Sequence, residues 1–449
     1  MATPLLARPR LVGLVALGAG LAALAPATGA QRGAAAPAPL PCPAGARAVP
    51  SGAALQPLLD SAPAGTTFCL APGVYAGPLA IRTSLVLQGP RDAIVRSPGE
   101  GRTIDVLAPH TVLRGFTVDG SGARFDKLDA AVYVHADSVE VRGLTVIRAL
   151  FGLVAEQSRG ITLDGNEIVG DAAAPRGLRG DGIRLWEVRG ARITRNVLRH
   201  SRDIVVWYSP DTRLAGNVVR DSRYANHFMY SSDCVVEDND YRDNIVGVFV
   251  MYSHDITLRR NTFARNTVSD GMGLGVKESG NLRVEDNRFI GNNQALYLDT
   301  SPFRAGDSVW VRHNTIAGNG AAVTFHSSET RNVFTNNVFE YNRTQVAVEG
   351  RGNARGVRWR DNYFDDYRGY DLDGDGTGDV PYELRSLSAR LAADHPALRF
   401  FRGTVAFELV DVAAQVLPLL QPETMLVDPR PRMAPPAWAA RAARPGRGN

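Results

Sequence analysis

The segments "HFMYSSDCVVEDND" (227–240) and "FVMYSHDITLRRNT" (249–262) write Met-Tyr-Ser twice and bring in an Asn on the same beat, at Asn239 and Asn261. The Asn recurs at the end of short alternating segments along the chain, at Asn166, Asn196, Asn217, Asn239, Asn261, Asn287, Asn314, Asn337 and Asn362. In five consecutive units a second Asn follows, at Asn244, Asn266, Asn292, Asn319 and Asn342. Each unit also carries a strand-like segment, such as "DIVVW" (203–207), "ANHFM" (225–229), "GVFVM" (247–251) and "GLGVK" (273–277). Their second and fourth places are apolar and the third and fifth vary, the pattern of a half-buried strand. Short strands recurring about every 22 residues, joined by Gly and Asn turns, predict one solenoid coil per unit. The expected fold is all-β: a right-handed parallel β-helix with an N-terminal cap and a partly helical C-terminal tail.

The ends divide the chain further. Residues 1–30 hold Arg8 and Arg10, an apolar run and a small-residue finish at "ATGA". This reads as a secretory signal peptide, the other reading being a retained membrane anchor. Residues 31–50 are expected to be a linker, 51–370 the β-helix, 371–383 an acidic calcium-like loop, 384–431 a capping or docking tail, and 432–449 a disordered tail. Without Arg8 and Arg10 the formal charge falls from +4 to +2, and no polybasic tract marks a nucleic-acid partner. Of three cysteines, Cys42 and Cys69 suit a disulfide in an oxidising compartment, leaving Cys234 as a free thiol.

Stacking the coils gives outward columns. The fifth strand places read His135, Glu156, Trp186, Trp207, Met229, Met251, Lys277, Asp299 and His326; the third places include Val205, His227 and Phe249. His227, Met229 and Met251 are therefore expected together on the surface, bordered by Trp207 and Phe249. The patch has two competing readings, with burial under a loop as a third. Thioether sulfur and imidazole suit Cu(I), whereas Met and aromatic side chains also make docking surfaces. His254 and Met272 are further candidate ligands. Asn226, inward in an apolar column, is expected to bond to the backbone of the next coil.

In "DLDGDGTGD", Asp371, Asp373, Asp375 and Asp379 fall at places one, three, five and nine of a calcium-loop pattern, with no acid at place twelve. The loop is either a Ca2+ site or an acidic turn.

Many β-helices are extracellular polysaccharide lyases, hydrolases or epimerases, which need converging carboxylates. Asp181, and Asp299 near Lys277, are available, but no tight acidic pair stands on the columns.

The succession "GDGIRLW", "RDIVVWYS", "RYANHFMYS", "NIVGVFVMYSHD", "GMGLGVKES", "QALYLDTSP", "NYFDDYRGYDLDGDGTGDVPY" and "HPALRFF" resembles, in order and from about residue 50 to 430, the NosD family of periplasmic β-helix proteins. Asn226 stands where that family carries Leu. The resemblance implies no enzymatic role. It implies service to an ABC transporter with an ATPase and a membrane permease subunit, receipt of Cu(I) from a membrane-anchored copper chaperone, and its presentation to nitrous oxide reductase. The chain has no phosphate loop of its own, so ATP hydrolysis falls to the ATPase.

Overall fold

The computed structural model describes residues 41–326, 330–349, 354–401, 404–417 and 424–442. Its strands build three parallel sheets of 14, 12 and 13 strands, each coil giving one strand to each sheet. One coil runs Tyr224–Met229, Ser232–Glu237, Asp240–Arg242, and the next Val246–Met251, His254–Arg259, Thr262–Ala264. They stack in parallel, with Met229 beside Met251, Glu237 beside Arg259 and Arg242 beside Ala264. This is the right-handed parallel β-helix expected from the repeat.

Inward side chains such as Phe228, Val236, Tyr241, Val250, Leu258 and Phe263 are fully buried in one continuous core. The recurrent Asn supplies what such a coil lacks, a partner for backbone groups turned inward at the corner. Asn239 Oδ1 accepts the backbone N–H of Asn217 at 2.8 Å and its Nδ2–H at 2.9 Å, while Asn239 Nδ2 donates to Leu214 O at 3.1 Å. The ladder begins where Leu144 N–H meets Asn166 and ends where Asn362 donates to Asp428. The second Asn series forms its own ladder from Asn244 to Asn342.

Both ends of the core are covered. At the start, the helix Leu55–Asp60 buries Leu55 and Leu59, and Gln56 pairs through its side chain with the backbone of Ala80. The Cys42–Cys69 disulfide is present. The supposed linker is corrected in part: Arg47–Val49 is already a strand, paired with Thr66–Leu70. At the far end Tyr382–Arg385 pairs antiparallel with Thr424–Asp428, and Tyr382 stacks on Phe364 at 4.0 Å. The tail adds helices Leu387–Asp394 and Val405–Val416.

The supposed disordered tail is also corrected in part. A short helix, Ala437–Ala442, follows residue 432, and its Trp438 ring lies against His313. The signal-peptide segment, and residues 31–40 and 443–449, lie outside the described residues. No described helix is long and apolar enough to cross a membrane.

Candidate functional site

The coil lengthens by one residue between Asn196–Asn217 and Asn217–Asn239. The extra residue is taken up as a β-bulge: Asp203 pairs with Tyr224 but Val205 with His227, so Ala225 and Asn226 together oppose Ile204. From there the columns run as the repeat implies. Trp186, Trp207, Met229, Met251, Lys277 and Asp299 are successive register partners, and so are Val205, His227 and Phe249.

His227 is not exposed as expected. It stands on the outer face but is only 4% accessible. The Trp207 ring meets it edge-on at 5.3 Å, Tyr224 at 5.0 Å, and Phe249 lies tilted at 6.5 Å. Phe249 can lie down over the sheet because its register partner is Gly275; a Cβ there would come within 2.1 Å of the ring. Met229 and Met251 stay half-buried at the mouth.

The contact that matters is between His227 Nε2 and Met251 Sδ, 3.3 Å apart. A nitrogen and a thioether facing each other at the edge of an aromatic enclosure are a soft donor pair. The other ring nitrogen, Nδ1, lies 3.6 Å from Asp203 Oδ2. Asp203 is fully buried, gripped by Arg223 and bonded by the Tyr224 N–H at 3.1 Å. Burial opposes its charge, but the facing His227 ring and the bonded Arg223 guanidinium prevail and hold the carboxyl below its ordinary range.

One coil earlier Asp181, also fully buried, is clamped by Arg202 at 2.8 and 3.2 Å and by Arg184 at 3.1 Å. Burial, then the neighbouring Asp203 charge, push its carboxyl upward. Neither carboxylate reaches solvent. Asp299 faces Lys277 at 3.6 Å.

The remaining sequence candidates separate. His254 begins the strand on the next face, beyond the Tyr252–Ser253 corner, with its Nδ1 2.5 Å from Asp255. Met272 is half-buried, and its sulfur sits against the same gap over Gly275 that the Phe249 ring fills. Cys234 is buried, which pushes its thiol up to about 12 and removes it from consideration as a thiolate ligand. Asn226 is corrected: it is fully buried, and neither its Oδ1 nor its Nδ2 has a hydrogen-bond partner among the described residues.

Asp203, Arg223 and Tyr224 were not singled out in the sequence. The signal was an Asp heading the strand of "RDIVVW" beside the Arg-Tyr of "RYANHFM", legible only once the bulge is known.

In the acidic loop Asp371, Asp373 and Asp375 bring one carboxylate oxygen each within 4.8 Å of the others. Asp379 instead accepts the Leu372 N–H at 2.6 Å, and Asp371 accepts from Gly374 and Gly376.

The chain is similar to several known proteins. The family described as "Periplasmic copper-binding protein (NosD)" matches residues 160–369. A "Probable ABC transporter binding protein NosD" of Stutzerimonas stutzeri is 27% identical over 401 residues, covering 78% of this chain and 83% of its own. Its namesake in Pseudomonas aeruginosa is 28% identical over 385 residues, covering 82% and 88%. Among solved structures, the catalytic unit of a GH87 α-1,3-glucanase from Streptomyces thermodiastaticus aligns with a TM-score of 0.55 at 18% identity, covering 75% of this chain and 70% of that one, a likeness of fold alone. With the ordered motifs and the solenoid, these matches show that the chain is similar to the NosD family over most of its length.

Proposed function

We propose that this chain is the periplasmic binding component of an ABC transporter system that matures the copper sites of nitrous oxide reductase. In this role it receives Cu(I) from a membrane-anchored copper chaperone and presents it to the apo-reductase. The observation that carries the proposal is the His227 Nε2 to Met251 Sδ approach of 3.3 Å, with Met229 next to Met251 at the mouth. A soft ion held by few neutral donors at a partly open mouth can pass to another protein's thioether or imidazole without entering water. The transporter is met through the tail, where Val405, Leu409 and Val412 form one exposed apolar stripe beside Phe400 and Phe401. ATP hydrolysis belongs to the ATPase partner.

The alternative of a polysaccharide-processing enzyme has less support. Asp181 and Asp203 are sealed under arginine, and Asp299 is matched by Lys277, whereas glycoside chemistry needs carboxylates that reach the sugar. A specific observation does favour a second use of the ridge as a docking surface. Tyr208 and Tyr230 are 42% and 48% exposed, rigidly stacked, and directly follow Trp207 and Met229. We propose Ca2+ as a structural ion at Asp371, Asp373 and Asp375.

Anaerobic titration of the mature protein with Cu(I) against a chromophoric chelator tests the main proposal, alongside a Met229→Ala, Met251→Ala double variant. Stoichiometric competition lost in the variant is expected. No competition by the wild type would remove copper from this chain and leave the ridge as a docking surface.

A further inference from the structure

His227 must present a bare nitrogen to serve a soft metal, and an imidazole has two tautomers from which to do so. Which one forms is decided by what faces the ring. Nδ1 is buried and makes no hydrogen bond among the described residues; the charged group facing it is the Asp203 carboxylate, 3.6 Å away. That is too long for a good hydrogen bond. The sign of the interaction is still settled. A lone pair on Nδ1 would oppose a buried negative charge, whereas an N–H there is attracted to it, and in such a dry setting the difference is large. The carboxylate cannot turn away, because Arg223 Nε grips Oδ1 at 3.1 Å, Arg223 Nη2 binds Oδ2, and the Tyr224 N–H holds Oδ1 at 3.1 Å. The ring cannot swing out either, because Trp207, Tyr224 and Phe249 pack around it.

We propose that Asp203 is a positioning residue that fixes the proton of His227 on Nδ1 and so turns a bare Nε2 toward the Met251 sulfur. It rests on the reading of that pair as a Cu(I) site. The consequence is two electron-pair donors facing each other across 3.3 Å, an arrangement that repels until a cation lies between them. Arg223, through Asp203, belongs to the same device. Carboxylate partners of this kind change metal affinity by about 10–100-fold in other sites.

The test uses mature protein labelled with 15N-histidine, free of metal, at pH 8. Ring-nitrogen shifts of His227, identified by their loss in His227→Gln, report the tautomer directly, and Cu(I) competition is measured on the same samples. In the wild type we expect a protonated Nδ1 and a bare Nε2. In Asp203→Asn, Arg223 takes the amide oxygen and the NH2 turns toward Nδ1, so the preference should reverse and Cu(I) affinity should fall about 10–100-fold. A wild-type His227 carrying its proton on Nε2 overturns the proposal, and so does a variant with unchanged tautomer and unchanged affinity. Should Asp203→Asn fail to fold, the wild-type spectrum alone still decides. The expected tautomer without any Cu(I) competition upholds the positioning by Asp203 and removes the copper reading instead.

Discussion

Tyr230 stacks on Tyr252 with ring centroids 5.0 Å apart and planes 14° from parallel, and Tyr208 stacks on Tyr230 in the same way. All three sit at corners with left-handed backbone, at φ of 51°, 52° and 50°. That conformation is unfavourable for a bulky residue and persists only where its surroundings hold it. Here the rings hold one another, and the Ser after each Tyr turns inward. Ser231 Oγ accepts the Ser209 N–H at 3.1 Å and Ser253 Oγ the Ser231 N–H at 3.0 Å. The repeated Met-Tyr-Ser is therefore a mouth residue, a stacked corner and a buried acceptor in sequence.

Removing the middle ring should loosen the corner beside the proposed copper mouth. Tyr230→Ala breaks two stacks, each worth about 0.5–1.5 kcal/mol beyond its buried area. We expect a loss of about 2 kcal/mol in denaturant unfolding and faster amide exchange at 229–232. An unchanged midpoint would show that the backbone needs no help from the stack.

The asparagine ladder should be far less tolerant. Asn261 Oδ1 accepts from Asn239 N–H and Nδ2–H, and its Nδ2 donates to Val236 O at 2.8 Å and to Asn287 Oδ1 at 3.0 Å. Asn261→Leu leaves those buried groups without partners, at a cost of about 3 kcal/mol. Asn342→Leu, on the less buried last rung of the second ladder, should cost clearly less because water can substitute. Equal losses for the two would contradict this account.

The 171–179 loop should be released by acid. Asp221 bonds Arg176 at 2.7 Å, Arg179 at 3.0 Å and His200 at 2.6 Å. Burial works against the carboxylate charge, but His200, Arg176 and Arg179 outweigh it and bring the carboxyl down to about 2 from an ordinary 3.8. A depressed value stabilises the folded clasp above the ordinary value, and that stability is lost as pH falls from 3.8 toward 2. Amide exchange at 171–179 should rise through that window. At neutral pH, Asp221→Asn should expose Arg176 and Arg179 to trypsin, and a variant cut no faster than wild type would refute the clasp.

Calcium should raise thermal stability if the acidic loop holds it. At saturating Ca2+ against a chelator we expect a rise of about 2–4 °C, abolished in Asp371→Asn, Asp373→Asn. The same melting temperature in both conditions would leave the loop as a set of turns, with Asp371 serving Gly374 and Gly376.

The amino-acid sequence by itself determined the coil, the strand on each face and the columns. Those follow from a period of two within a strand and a repeated Asn between strands, both local quantities that no tertiary contact can shift without breaking every rung. It also brought Met229 next to Met251, since in-register parallel stacking follows directly from the repeat. Only the tertiary structure decided that His227 is enclosed and which of its nitrogens meets sulfur. That depended on one inserted residue at Ala225–Asn226, on the absence of a side chain at Gly275, and on a buried Asp203 whose partners come from the next coil. His254 shows the same limit in reverse. It is near Met251 along the chain, but the corner at Tyr252 and Ser253 carries it onto another sheet.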